Sequence, residues 1–544
     1  MRVCLALSIS LLIVLLAAAA PAPSPPAPAP APPANKIYRT PGENEMFAQM
    51  LLQAVNWVEE IYVRPVSRVD LLETALTALY EKARRPVPRN LRRRIERAEK
   101  ASAVPSEATE NAPPPLVPAL APRRAPIADD RPLVDLIRDV RAQLGKVENL
   151  GSVDPLHVGC QAMLRSLDPY SGVLATKEDC RAVGTSPERD GFGLEVPDED
   201  AEHVFIRDVL PGSPAQEAGL RAGDEIVRLH DSDGRERKVK ESLNVLNGRA
   251  PLLKPQLGAF ALPEPITIDY RRPGVKGDRK VTLEWRHFRP ESVFGVTRRD
   301  DNTWSYWLDA ERKIAHVRLG NLVEYTPDEL SDILAALRRD GLRGLILDLR
   351  WCPGGVLTGS TRTAELFLGV GTIATIRYRN RPEDVYRSTD EDKHNDFPMV
   401  VLINGETKGG GEMIAAALQD HHRAVVVGQR THGKGNMQMQ RSFGSIAIKV
   451  TSGTITRPSG KPLHRFPDSK PDDPWGVQPN RGHDFRVSAE VSRALRTWYE
   501  ELTMRPGSST KRLPLDDPLI DAQRSAALEA LAEELNRQVR AQAE

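Results

Sequence analysis

Helical periodicity dominates the first third of the chain. Apolar side chains recur at helical spacing between residues 43 and 86, at 133 to 144 and at 155 to 166, which predicts amphipathic helices there. Residues 86–132 are rich in Pro, Arg and Ala, and they lose this periodicity from Ala101 onward, so we expect a flexible insertion. The pattern predicts a helical N-terminal region over residues 36–180 that contains this insertion.

Continuous apolar runs replace the helical pattern further along. Residues 344–349, 399–404 and 424–428 have the length and composition of buried strands, and a short helical pattern at 411–420 lies between the last two. Strands that alternate with helices predict an α/β layered core, which we place at residues 289–485. Residues 486–544 are charged and helical in pattern, which predicts a C-terminal helical segment.

The amino terminus has the pattern of an export signal. Arg2 is followed by an apolar run to Leu16 and by small residues at 17–20, so residues 1–20 are predicted to be a signal peptide. The alternative is an uncleaved membrane anchor, because the apolar stretch is about as long as the shortest spans. Residues 21–35 form a Pro/Ala-rich linker. We therefore expect a periplasmic or extracellular protein of the cell envelope, with membrane contact only if the signal stays attached.

Charge and cysteine content exclude several classes of function. Lys and Arg number 75 against 74 Asp and Glu, a net charge of +1, which argues against nucleic acid as a partner. Cys160, Cys180 and Cys352 remain after loss of the signal, an odd number that does not suit a disulfide scaffold. A bridge between Cys160 and Cys180 stays open, because sequence does not show their separation. No Cys/His spacing suits zinc and no phosphate-binding loop is present, so neither metal nor cofactor is expected.

Residues 188–288 resemble a PDZ domain, a β-rich unit with short helices. The resemblance rests on Gly191-Phe192-Gly193-Leu194 and on the later turn Ala222-Gly223-Asp224-Glu225-Ile226. A glycine-rich turn before a strand exposes backbone N–H groups that can hold a chain-terminal carboxylate, and the rest of the peptide can then add to the sheet edge. We expect residues 191–194 to bind polypeptide C-termini.

A second set of motifs carries the chemistry. In chain order they are Leu167-Asp168-Pro169-Tyr170-Ser171, Arg350-Trp351-Cys352-Pro353-Gly354-Gly355, Thr407-Lys408-Gly409-Gly410-Gly411-Glu412 and Thr431-His432-Gly433-Lys434-Gly435. Together they resemble the C-terminal processing peptidases, also called tail-specific proteases. The resemblance implies a multidomain α/β protein with a peptidase core of the crotonase/ClpP-like kind. It also implies Ser/Lys hydrolysis of polypeptide tails without a cofactor.

The resemblance assigns roles to individual residues. Lys434 matches the general base, Gln438 matches a glutamine beside that lysine, and Asp420 matches a supporting acid at the end of the helix. Gly354 and Gly355 match the loop that supplies oxyanion donors. Such a site needs a base to activate the hydroxyl, and burial can lower the pKa of a lysine enough for that task. It also needs donors placed for the oxyanion of the intermediate.

Gly409 departs from this pattern. Counting back from Glu412, it takes the position of the nucleophilic serine, and glycine has no atom that can attack. In a well-studied serine protease, loss of the nucleophile costs about 10⁶ in turnover. Thr407 and Cys352 are the two substitutes nearby, but a turn-capping hydroxyl and a buried inert thiol are the better interpretations. Two hypotheses follow: a C-terminal processing endopeptidase of the envelope, or a pseudopeptidase that binds tails as an adaptor or regulator. We expect hydrolysis to be lost or much reduced.

Overall fold

The computed structural model describes most of the chain after residue 41. The described residues are 42–102, 129–145, 154–174, 189–197, 203–210, 212–248, 264–299, 303–389, 396–444, 446–504 and 521–543. The chain divides into two compact units, Met1–Glu43 and Asn44–Glu544, and every element below lies in the second unit apart from its first residue, Glu43. The predicted signal peptide and Pro/Ala-rich linker lie outside the described residues. Within the described ranges, no helix combines the length and apolar character needed to cross a bilayer.

The described residues of the N-terminal region include five helices that pack around one apolar core. The helices are α1 (Glu43–Ile61), α2 (Arg68–Lys82), α3 (Leu91–Ser102), α4 (Arg131–Leu144) and α5 (Pro155–Arg165). Leu51, Leu76, Ile137 and Leu164 are fully buried in this core. The helical stripes read from the sequence therefore face one another, as amphipathic helices require.

Helix α3 corrects the predicted extent of the insertion. We placed the flexible insertion at 86–132, but residues 91–102 are helical, so the prediction was wrong at its start. Leu91 and Ile95 bury one face of α3, while arginines cover the opposite face. The helix contains four arginines, a composition that resembles a linker. Its apolar stripe has only two buried apolar side chains, so the helical pattern is difficult to recognise in the sequence. Residues 103–128 lie outside the described part of the chain.

The next unit is a small β-rich domain. Its strands are β2 (Arg189–Gly191), β3 (Leu194–Glu195), β4 (Val204–Phe205), β5 (Asp208–Val209), β6 (Glu225–His230), β7 (Glu236–Arg237), β8 (Ile266–Arg271), β9 (Arg279–Leu283) and β10 (Arg286–Phe288). Its helices are α6 (Pro214–Glu217), a 3-10 turn (Val239–Ser242) and α7 (Leu243–Leu246). One sheet has the order β4-β6-β8-β9, with β7 on β6, while β3 pairs with β5 and β2 with β10. Because β10 returns to β2, the folded unit continues to Phe288.

A six-stranded sheet forms the centre of the following domain. The strands and helices are β11 (Val293–Phe294), β12 (Thr297–Arg298), β13 (Trp304–Ser305), β14 (Trp307–Asp309), β15 (Ile314–Leu319), α8 (Thr326–Arg339), β16 (Gly344–Asp348), α9 (Leu357–Glu365), β17 (Gly371–Tyr378), β18 (Asp384–Ser388), β19 (Met399–Ile403), α10 (Gly410–Asp420), β20 (Val425–Gly428), β21 (Asn436–Phe443) and β22 (Ile446–Thr456). The sheet order is β11-β15-β16-β19-β20, with β14 also on β15, and β15, β16, β19 and β20 are parallel. Strands β16 and β19 are buried along their whole length, which explains their continuous apolar runs.

Helices cover both faces of this sheet. Leu347 and Val401 pack into the core shared with α8, α9 and α10. Ile346 and Val400 point to the other face, where they meet Leu531 of the last helix. The two C-terminal helices are α11 (Ala489–Met504) and α12 (Ala522–Ala543). The domain is therefore a three-layer α/β/α core, as predicted from the alternation of strands and helices.

A second sheet joins the N-terminal region to the core. Strand β1 (Gly172–Leu174) follows the helical bundle and pairs antiparallel with β22, with Gly172 opposite Lys449. The sheet order is β1-β22-β17-β18, and β21 pairs with the other side of β22. This connection brings residues 167–171 next to the strand that follows the lysine motif.

Candidate active site

The site begins at a tight turn between a buried strand and a helix. Strand β19 ends at Ile403, and helix α10 starts at Gly410. Between them the Gly411 N–H donates to the Lys408 carbonyl at 3.0 Å, so residues 408–411 close a four-residue turn. Gly409 has φ +54° and ψ −116°, the torsions of the first central residue of a type II′ turn. The turn aims residue 409 away from the sheet at the helix start, where the helix dipole favours negative charge.

The three glycines differ in the room they leave for a side chain. A Cβ at Gly409 would lie 3.7 Å from the Pro353 carbonyl oxygen, its nearest neighbour, which is an ordinary contact. A Cβ at Gly410 would lie 2.0 Å from the Ser360 hydroxyl oxygen, and one at Gly411 would lie 3.2 Å from the Cys352 sulfur. Only position 409 of the three could therefore take a side chain without crowding.

The loop after strand β16 lies directly against this turn. The Lys408 N–H donates to the Cys352 carbonyl at 2.9 Å. A Cβ at Gly409 would lie 3.8 Å from the Gly354 Cα, while Gly355 packs its backbone on Leu322. The structure thus brings both predicted oxyanion glycines to the same loop, with Gly354 in contact with the turn. The assignment of Gly354 and Gly355 as oxyanion donors stays a prediction.

Glu412 connects the turn to the lysine motif. Its buried carboxylate accepts hydrogen bonds from the Gly409 N–H (3.0 Å), the Thr431 hydroxyl (2.6 Å), the Gly433 N–H (2.6 Å) and the Lys434 N–H (2.7 Å). Burial raises the pKa of Glu412 to about 7, although these four donors favour the ionised form. One side chain therefore links the backbone of Lys434 to that of Gly409.

The surroundings of Lys434 favour the neutral form of its amine. Burial lowers the pKa of its amine, and the positive charges of Lys449 and Lys408 lower this pKa further, whereas Glu412 opposes the change. Its Nζ atom lies 5.9 Å from the centre of the Tyr170 ring. A lowered lysine pKa increases the fraction of neutral amine at neutral pH, which general-base catalysis needs.

Gln438 reaches Tyr170 from the neighbouring strand. Its side-chain amide donates to the Tyr170 carbonyl at 2.6 Å. The contact that the structure shows for Gln438 is therefore to the residue beside Lys434, and both side chains converge on Tyr170. Asp168 fixes this segment by accepting the N–H groups of Tyr170 (2.7 Å) and Ser171 (2.8 Å).

Asp420 lies apart from this cluster. Eleven residues form α10, so its two ends are about 15 Å apart, with Gly409 at one end and Asp420 at the other. The Asp420 carboxylate receives two hydrogen bonds from Arg457, at 2.6 Å and 2.9 Å, and one from the Ser459 N–H. Burial raises the pKa of Asp420, but the bonds from Arg457 outweigh it and hold the pKa below its ordinary value. The structure gives Asp420 a role in fastening the far end of the helix.

The two candidate substitute nucleophiles are both committed to other contacts. The Thr407 hydroxyl is buried, donates to the Leu349 carbonyl at 2.9 Å and accepts the Asn404 N–H at 3.0 Å. The Cys352 thiol is fully buried and points to the Gly320 carbonyl at 3.1 Å. Burial raises the pKa of Cys352 to about 12, so it carries almost no thiolate at neutral pH. Neither side chain has the exposure or the chemistry of an activated nucleophile.

The sequence analysis did not assign a role to Glu412 or Tyr170. A signal for Glu412 was present, since a glutamate three residues after a helix cap often reaches back to the N–H of the cap residue. Tyr170 gave no such signal, because its position depends on the pairing of β1 with β22 across more than 270 residues of chain.

The predicted peptide-binding residues form a buried turn in the β-rich domain. The Phe192 carbonyl accepts the Ala215 N–H at 2.9 Å, and the Gly193 carbonyl accepts the Leu210 N–H at 2.8 Å. Leu194 starts strand β3, and Gly191 ends β2. A Cβ at Gly193 would lie 2.0 Å from the Ser213 Cβ, so this position needs glycine. The turn is thus fixed through its carbonyl groups.

Two protein families match this chain. The first, described as peptidase family S41, matches residues 313–479, which include both Gly409 and Lys434, and the PDZ domain matches residues 182–248. The carboxy-terminal-processing protease of Bartonella bacilliformis is 28% identical over 373 residues, which are 65% of this chain and 78% of that protein. The chain thus carries a peptidase family S41 domain and a PDZ domain, and it is similar to carboxy-terminal-processing proteases.

Other proteins are similar to the chain as well. The carboxy-terminal processing protease CtpA of Bacillus subtilis is 27% identical over 309 residues, which are 56% of this chain and 60% of that protein. Among solved structures, the photosystem II D1 C-terminal processing protease is 20% identical, with a TM-score of 0.39, over 85% of this chain and 98% of that one. The described residues of this chain include no group of His, Cys, Asp and Glu side chains that could hold a metal ion.

Proposed function

We propose that this chain is a member of the C-terminal processing peptidase family and binds polypeptide tails, with hydrolysis lost or much reduced. The observation that carries the proposal is the position of Gly409. It lies at the start of α10, against the Gly354 loop and hydrogen-bonded through Glu412 to the Lys434 loop. The neighbours that a Ser/Lys site needs surround a residue that has no side chain.

The space around Gly409 would admit a serine side chain, at the cost of a strained backbone. A Cβ there meets nothing closer than 3.7 Å, and residue 409 is half-buried, so a hydroxyl would have room and access to solvent. The oxyanion donors expected from Gly354 and Gly355, together with the base Lys434, belong to the same proposal. So does the prediction that the core is of the crotonase/ClpP-like kind.

Tail binding is assigned to the PDZ domain. Residues 191–194 form the turn that would receive a chain-terminal carboxylate, and the apolar residues of the tail would follow along strand β3. Without hydrolysis the chain would act as a peptide-binding adaptor or regulator. Its site would be at the cell envelope if residues 1–20 act as an export signal, with the membrane contacted only through an uncleaved signal.

The test compares four proteins on an unfolded polypeptide with an apolar free tail. They are the unaltered chain, Gly409→Ser, Gly409→Ala and Gly409→Ser combined with Lys434→Ala. We expect cleavage only by Gly409→Ser, at a rate several orders of magnitude above the others, because a serine nucleophile contributes up to about 10⁶ in turnover. The alanine variant is the matched control, since it carries the same backbone change without the hydroxyl.

One result would contradict the loss of hydrolysis. If the unaltered chain cleaves and Lys434→Ala abolishes that cleavage, another nucleophile works with the lysine, and Cys352→Ala and Thr407→Ala would identify it. Tail recognition is tested separately with peptides that end in a carboxylate or in an amide. Equal affinity for both peptides would refute recognition of the tail.

A further inference from the structure

A side chain of the same chain already bonds the backbone at the end of strand β3, at Val196. The Asn247 Oδ1 atom accepts the Val196 N–H at 2.8 Å, and the Asn247 Nδ2 atom donates to the Val196 carbonyl at 3.2 Å. A carboxamide carries one acceptor and two donors in the geometry of a peptide group. Asn247 therefore makes with Val196 the pair of bonds that a neighbouring strand would make.

This edge is the one that a bound tail would use. On the opposite edge, the Gly193 carbonyl accepts the Leu210 N–H at 2.8 Å, and the Glu195 carbonyl accepts the Arg207 N–H at 2.7 Å. Backbone groups of successive strand residues point to alternate sides, so those of Val196 point away from β5. A peptide added alongside β3 would have to bond both Val196 groups.

The peptide-binding groove would run from the turn at Phe192 and Gly193, which would receive the tail carboxylate, along strand β3 to Val196. At the turn, unlike at Val196, the backbone N–H groups are not occupied by a side chain of the described residues. Phe192 and Gly193 are buried, and in the described part of the chain their N–H groups have no hydrogen-bond partner. Unpaired buried N–H groups are rare because each costs free energy. The α-carboxylate of a polypeptide tail is an acceptor of the right charge for both groups. The end of the groove is therefore open, while its side is closed by Asn247.

The position of Asn247 is set by the end of a helix. Its N–H donates to the Leu243 carbonyl at 2.9 Å, so it terminates α7. Gly248 follows with φ +69°, and a Cβ at Gly191 would lie 3.2 Å from the Gly248 Cα. The end of α7 thus lies against the turn that carries Phe192 and Gly193. The two bonds to Val196 are made by the Asn247 side chain, so its displacement would free the Val196 backbone groups.

We propose that Asn247 is a built-in competitor for polypeptide tails and sets the affinity of the PDZ groove. The inference rests on the proposed function, in which this groove receives C-termini. When a tail with a free carboxylate binds, the Asn247 amide leaves Val196, and the tail backbone makes the same two bonds in its place. Binding exchanges bonds at Val196 and adds bonds at Phe192 and Gly193, so the free carboxylate is needed to favour the exchange.

The test measures binding of short fluorescent peptides to the full chain. One peptide ends in small apolar residues with a free carboxylate, and the other has the same sequence with an amidated end. Asn247→Ala should bind the free-carboxylate peptide about 5- to 30-fold more tightly than the unaltered chain, which corresponds to one or two hydrogen bonds no longer displaced. Asn244→Ala is the matched control, because Asn244 is exposed on the same short helix, and its affinity should not change.

A second variant and a second measurement keep the test decisive if Asn247→Ala does not fold. Asn247→Ser is too short to reach both Val196 groups, so it should also bind more tightly. Hydrogen exchange at the Val196 amide should be slow in the unaltered chain, faster in both Asn247 variants and slow again with the tail peptide bound. Tail binding of equal strength in all proteins, or unchanged exchange at Val196, would overturn the inference and leave tail recognition standing. Failure of every variant to prefer the free carboxylate would refute the proposed function as well.

Discussion

At the scale of single residues, Gly409 combines two properties that act in opposite directions. A serine there would supply the missing nucleophile, but the torsions φ +54° and ψ −116° are unfavourable for any residue with a Cβ. Such a conformation costs of the order of 1–3 kcal/mol in a non-glycine residue. Reactive turns often hold strain of this kind, and glycine at this position avoids it.

The cost can be measured without any activity. Gly409→Ala and Gly409→Ser should each lower the free energy of unfolding of the core by about 1–3 kcal/mol, and by similar amounts, because the backbone causes the loss. Urea unfolding of the two variants beside the unaltered chain tests this. If both variants matched the unaltered chain in stability, the turn would not be strained, and glycine would bring no advantage in stability.

Glu412 makes the stability of the chain depend on pH at the same site. Burial raises its pKa from its ordinary value to about 7, so between pH 4.5 and 7 the folded chain holds a proton that the unfolded chain has released. This contribution to stability is complete below pH 4.5 and is lost as the pH rises through 7. Its upper limit is about 3 kcal/mol.

Replacing Glu412 with Gln separates the contribution of Glu412 to the pH dependence of stability from that of other titrating groups. Glu412→Gln should be less stable than the unaltered chain by about 1–3 kcal/mol, because its amide donors face the N–H groups of Gly409 and Lys434. The deficit should be larger at pH 5 than at pH 7.5, as the variant lacks the titrating group. Unfolding free energies of both proteins at the two pH values check this. A deficit that grows with pH would show that the four donors win over burial.

At the scale of elements, the period and the length of the apolar patterns in the sequence predicted most of the helices and strands. The buried strands β16 and β19 and the helix α10 were readable because continuous apolar runs and a glycine-led helix start are local signals. Helix α3 was not, since its apolar stripe is short among arginines. The role of Asp420 also could not be read locally. Its partner Arg457 directly follows strand β22 and lies 37 residues further along the chain.

At the scale of the whole molecule, the site depends on contacts that the sequence does not reveal. Three loops from the carboxyl ends of β16, β19 and β20 meet at Gly409, which the topology of a parallel sheet explains. The approach of Tyr170 and the closure of the PDZ edge by Asn247 depend instead on pairings between distant segments. Motifs located the loops of the candidate site, and long-range packing decides which of its groups are accessible.

The C-terminal segment belongs to the same network. Arg350, at the start of the loop that carries Gly354, is fully buried between Asp348 and Asp521, with Asp521 oxygens at 2.7 Å and 2.9 Å. Tyr499 of α11 also donates to Asp521, at 2.9 Å. Removing one partner of a buried ion pair leaves the other charge uncompensated, at a cost of about 3–5 kcal/mol.

We therefore expect Asp521→Ala to loosen both ends of this network. Hydrogen exchange should accelerate in α12, which loses the carboxylate at its start, and in residues 350–355, which lose the anchor of Arg350. Asp484→Ala is the control, because its pair with Arg486 is largely exposed and worth about 0–1 kcal/mol. If Asp521→Ala affected α12 alone, Asp348 would hold Arg350 and the site loop in place without Asp521.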